Sequence, residues 1–160
     1  MSVEDHVAQL IETLDDELEQ LTILRFRLVV LAALVAADQA LWLPMSVRDL
    51  EVAIEQLRLV DLRRAAATSG ITEACWLSPE ARLPEIAAKL DDAWGEMLQS
   101  RRRELLEQVA NVQNVAELAI SAMGRRSTLI SEALRFVSSD GGAAYGRQSP
   151  RRARIVQGAM

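Results

Sequence analysis

Four kinds of side chain are nearly missing: the 160 residues hold one cysteine, Cys75, one histidine, His6, one lysine, Lys89, and one tyrosine, Tyr145. A single cysteine excludes an internal disulfide and suits a reducing compartment; with a single histidine it also leaves no ordinary zinc site to assemble. Aromatic residues make up only 4% of the chain, with 7 glycines and 4 prolines. Sandwiches and barrels draw on aromatic and β-branched residues and on frequent turns, so this balance excludes them and points to an all-α protein. Long apolar runs are lacking too. The longest uncharged stretch, Leu28 to Ala37, is ten residues, whereas a spanning helix needs about 20, so no membrane insertion is expected. The opening "MSVEDHVAQL" is acidic and carries no positively charged signal region, which leads to the expectation of a cytoplasmic chain.

Acid is absent after Asp140. Residues 141–160 therefore carry +4 and residues 1–140 carry −9. That distribution argues against a nucleic-acid partner for the body, leaving only the tail to serve one.

What is present is helical periodicity. Ser2 followed by Asp5 reads as a helix start and Pro44 as a stop. Between them Val7, Leu14, Leu21, Leu28 and Val35 recur every seventh residue, with Leu10, Leu24 and Leu31 at the companion position. Such a heptad seam needs a partner helix. Pro44 and Met45 read as the turn, Ser46 with Asp49 as the cap of a second helix bearing Leu50, Ile54, Leu57 and Val60 or Asp61, and Gly70 as its stop beyond Thr68. The two helices are expected to fold back antiparallel. After an irregular stretch, "SGITEACWLSPEARLP", a third long helix is expected from Pro84 to Phe136 or Val137, with a bend or break at Gly124. The expected fold is an antiparallel bundle of three main long helices over residues 1–138, followed by a flexible basic tail over 139–160.

The third helix has more apolar surface than one seam requires. Its seam reads Leu105, Val109, Val112, Ala116, Ala119, Met123, Ile130 and Val137. A second stripe, Val115, Leu118, Ala122, Leu129 and Phe136, lies about a third of a turn to the side, bordered by Asn111 and Asn114. Asparagine is a mediocre helix former, because its amide competes for backbone hydrogen bonds. The stripe has two readings: the face of a fourth element or of a homodimer, or a groove for another protein's amphipathic helix, rimmed by amides that fix its register.

Chemistry offers little competition. His6 reads as a solvated side chain in a frayed first turn, and Glu12, Asp15, Asp16, Glu17 and Glu19 as a solvated face rather than a metal cluster. The three tryptophans, Trp42, Trp76 and Trp94, are expected to cover a bundle end or a loop junction. Arg63 with Arg64 and Arg125 with Arg126 could in principle hold a dicarboxylate, as all-helical chorismate mutases do, but a single lysine and a lack of inward polar positions count against it. No catalytic residue, metal or cofactor is assigned.

The long N-terminal heptad helix, the "DLRRAAATSGI" ending of the second, the Trp-containing third helix, the N-x-x-N of "NVQNVAEL" and the Gly-rich tail with its Tyr145-Gly146 pair resemble the FlgN family of flagellar export chaperones over residues 7–146. The resemblance implies a non-enzymatic cytoplasmic chaperone of type III protein export in bacterial flagellum biogenesis. Its clients would be hook-associated proteins of the FlgK and FlgL type, and it would deliver them to an export gate of the FlhA type. Carried over, client binding falls on Asn111, Asn114, Val115, Leu118, Ala122, Leu129 and Phe136, and export-gate docking on Tyr145. The arginine-rich "RQSPRRARIVQ" departs from the family pattern. The alternative is a helical adaptor or secretion-associated coiled-coil protein of another pathway, whose Arg-rich tail contacts nucleic acid or a membrane surface.

Overall fold

The computed structural model describes residues 1–123 together with 135 and 137. Helix α1 spans Val3–Ala36, a 3-10 turn Ala40–Trp42, α2 Leu43–Ala74, α3 Leu83–Lys89 and α4 Asp92–Met123. Among the described residues there is no strand, and the fold is an all-α bundle of long helices.

Helix α1 begins where its cap dictates. The Asp5 N–H donates to Ser2 Oγ at 3.2 Å and the Ser2 N–H donates to the Asp5 carboxylate at 2.8 Å, a reciprocal capping box. The heptad residues Val7, Leu10, Leu14, Leu21, Leu24, Leu28 and Leu31 are all buried in one core. Each such leucine contributes about 1.5–3 kcal/mol by leaving water.

The end of α1 differs from the expected one. The helix stops at Ala36, well before Pro44, because Asp38 adopts the left-handed conformation at φ 52°. The Asp38 N–H then donates to Val35 O at 3.1 Å and the Gln39 N–H to Leu34 O at 2.9 Å, closing the carbonyl end. Pro44 is not a stop. It sits in the first turn of α2, where its missing N–H is not needed. Ser46 is buried within that helix rather than capping it, and Asp49 is spent on Arg27 of α1 at 3.1 Å.

Gly70 does not end α2 either; the helix runs through it to Ala74. Glycine leaves room there for the His6 ring, which a Cβ would approach to 2.9 Å at Nδ1 and push aside. His6, anchored in a capped turn and half-buried against α2, is accordingly no frayed, solvated side chain. The true terminus repeats the device of α1: Trp76 takes φ 55°, its N–H donates to Glu73 O at 3.2 Å, and the Leu77 N–H donates to Thr72 O at 2.8 Å. A side chain in this conformation costs about 1–2 kcal/mol relative to the right-handed region.

The expected third helix is two. It breaks at Leu90, whose backbone is extended, and the Asp91 carboxylate accepts from the Trp94 N–H at 3.0 Å to start α4. The two pieces are held close, since a Cβ on Gly95 would lie 2.7 Å from Ala87 O. Gly124, where a bend was expected, lies outside the described residues, as do Ile130 and the expected tail, 139–160. Leu105, Val109, Val112, Ala116, Ala119 and Val137 are buried as the seam predicts.

Helix α1 packs against both α2 and α4, and α3 packs on α4. Arg63 to Asp16 and Arg64 to Glu17, each at 3.0 Å, and Arg27 to Asp49 fix α2 antiparallel to α1. Arg101 to Asp15 at 2.5 Å and Arg25 Nη1 to Gln108 Oε1 at 3.5 Å fix α4 parallel to it. The acidic face of α1 is thus bridging rather than merely solvated, and Glu17 is only 3% exposed. Arg63 and Arg64, entertained as anion ligands, are paired with these carboxylates, and Arg64 also with Asp61.

Candidate helix-docking groove

Helix α4 presents two apolar faces because its sequence places small and branched residues on both. The inner face is closed against α1. On the outer stripe, Val115 is half-buried against the core, Ala122 is exposed, and Leu118 is 68% exposed. Asn111 is half-buried and Asn114 exposed. Among the described residues neither amide finds a hydrogen-bond partner, so both remain able to donate and accept. Leu129, Phe136 and Tyr145, the rest of the expected set, lie outside the described residues.

A second wall comes from α1, and the sequence reading missed it. An open recess of about 580 Å³ lies between α1 and α4, lined by Leu18, Thr22 and Ile23 with Glu19, Glu104, Glu107 and Gln108. Three- and four-residue steps keep side chains on one face of a helix. From Thr22 they lead to Phe26, Val29 and Ala33, and from Gln108 to Asn111, Val115, Leu118 and Ala122. Phe26 is 58% and Val29 48% exposed. With the helices parallel, Arg101 level with Asp15 and Gln108 with Arg25, Leu118 comes alongside the Ala32–Val35 turn at the end of α1. The trough is therefore acidic at one end and apolar at the other. Phe26 and Val29 fall outside the heptad positions of α1, and that was the available signal: apolar residues off the seam, as on α4.

Electrostatics anchors the trough. Burial alone would make Arg101 easier to deprotonate, but the Asp15 carboxylate across the interface and Glu104 one turn on outweigh it and raise its pKa above the ordinary arginine value. Arg101 stays charged and ties α4 to α1 below the recess. Among the described residues no group of three metal-ligating side chains converges, and no helix is long and apolar enough to cross a membrane.

Comparison with protein-family models, with curated proteins and with solved structures returns no match.

Proposed function

We propose that this chain is an export chaperone that holds an amphipathic helix of its client in the trough between α1 and α4. Following the FlgN-family resemblance, its clients are hook-associated proteins of the FlgK and FlgL type, held in the cytoplasm and passed to a flagellar export gate of the FlhA type through Tyr145. The observation that supports the reading is Leu118, a large apolar side chain left in water on a stripe whose neighbours are apolar and whose rim amides are unused. A groove of this kind recognises a helix through apolar anchors spaced by three and four residues. The deciding experiment is calorimetric titration of purified hook-associated proteins into the wild-type chain and into Leu118→Lys. Loss of binding with an unchanged thermal melt supports the reading; no binding by the wild type ends it.

A second reading, self-association, is favoured by the outer face of α2. Met45, Val52 and Leu59 recur there every seventh residue, and with Leu62 all are exposed. Such a stripe is the seam of a coiled coil with a second copy. Sedimentation equilibrium of the wild type and of Val52→Lys tests it, with a dimer expected only for the wild type.

A further inference from the structure

Trp76 is 95% exposed and holds a left-handed backbone, the conformation that helix ends usually assign to glycine. Packing does not repay that cost. The hydrophobic contact that normally accompanies this helix ending is made by the next residue, Leu77, which packs on the core. The ring of Trp76 thus contributes nothing to the described fold, while its backbone position disfavours any side chain at all. A strained, solvent-facing aromatic with no structural return is the signature of a contact made with something else.

The surroundings say what. Beside Trp76, at the end of the bundle opposite the α1–α2 turn, lies an open recess of about 330 Å³ with an apolar floor of Val3, Val7, Cys75, Leu90 and Trp94. Its lining carries two carboxylates, Glu4 and Asp91, and the exposed Glu73 precedes its Ala74 wall, against Lys89 in the lining and the Met1 ammonium two residues before Val3. Two further carboxylates, Asp5 and Glu85, are occupied in capping. The balance is negative, which repels nucleic acid and anionic lipid and attracts a basic segment. We propose that Trp76 and this recess form a second docking surface, independent of the α1–α4 trough, for a basic peptide segment of another protein. One apolar side chain enters the recess beside Cys75, the next packs on the neighbouring Trp76, and flanking arginines or lysines meet Glu4 and Asp91.

The test uses the full chain, isotope-labelled so that its three indole N–H signals are resolved, with Trp76 identified by its absence in Trp76→Gly. The probe is a short helical peptide of leucine, alanine and arginine, with a counterpart carrying glutamate in place of arginine. The arginine peptide is expected to shift the Trp76 signal but not that of Trp42, to bind less tightly as salt rises, and to bind Trp76→Gly about tenfold more weakly or worse. Trp76→Gly itself is expected to melt about 2–4 °C higher, having shed a strained side chain. A lower melting temperature would make the ring structural and overturn the proposal. So would equal binding of the glutamate peptide, undiminished binding by Trp76→Gly, or a Trp76 signal that moves with protein concentration alone, which would seat a second copy there. A Trp76 signal that moves when residues 147–160 are deleted would assign the surface to this chain's own arginines and overturn it as well.

Discussion

The two flanks of α1 are built from the same materials and come out differently. Towards α2, leucines are closed over and the charged residues bridge the helices, with Glu17 and Arg64 taken almost wholly out of water. Towards α4, the seam of Leu105, Val109, Val112, Ala116 and Ala119 is closed too, tied by one arginine clamp and one glutamine contact, but beside it apolar residues of both helices remain exposed. Closing a flank completely commits its surface to the fold. Leaving one ajar keeps apolar area in reserve, at a cost in solubility that is recovered only when something fills it. The first flank specifies the architecture, and the second is where a partner is expected to bind.

The largest effect should come from breaking the closed flank. Arg64→Met leaves the buried Glu17 carboxylate without its main partner and should destabilise the chain by about 3–5 kcal/mol, read as a lowered midpoint in urea. Replacing both partners, Glu17→Leu with Arg64→Met, should restore most of that loss, since apolar pairs substitute well for buried ions. On the open flank Leu118→Lys should leave the urea midpoint within about 0.5 kcal/mol of wild type while costing more than about 2 kcal/mol in client affinity. Unfolding of that variant would mean that both flanks are core.

Smaller effects sharpen the contrast. Asn111→Ala and Asn114→Ala should stabilise the free chain by a few tenths of a kcal/mol, roughly the difference in helix propensity, yet weaken client binding in the same titration. Smallest is the cap. The hydrogen bonds from the backbone and side chain of Ser2 hold the Asp5 carboxyl below its ordinary 3.8. The folded-state value is the depressed one, so the stabilisation is fully present above the ordinary value and is lost as pH falls through the depressed one. Asp5→Asn should therefore lower the melting temperature at neutral pH, and the gap to wild type should close on acidification to about pH 2.

Much of the closed architecture was legible in the sequence, because a heptad is a local pattern with one geometric solution. Val7 to Leu31 in α1 and Leu105 to Ala119 in α4 fell where their spacing put them, and so did the antiparallel return of α2. What was not legible depended on neighbours distant in sequence. Gly70 reads locally as a stop, and only the His6 ring across the interface explains it as a mid-helix gap. Pro44 reads as a terminator, yet a proline in a first turn looks the same in sequence. The early end of α1 was hidden because Asp38, not glycine, takes the left-handed position. Asp15, Asp16 and Glu17 read as a solvated face because nothing local reveals that Arg101, Arg63 and Arg64 converge on them. For the candidate groove, one wall was legible and the other was not. The surplus on α4 stood out against an already assigned seam, whereas Phe26 and Val29 were lost among the many apolar neighbours in α1.

The parallel run of α1 and α4 also sets an order of events in synthesis. An antiparallel pair such as α1 and α2 can zip together across a tight turn once Ala74 has emerged, its contacts being close in sequence. The trough joins segments separated by the whole intervening chain, and it has no second wall until α4 leaves the ribosome. If the trough is the docking site proposed above, it cannot form before α4 is made, and a nascent chain halted before Asp92 would lack it.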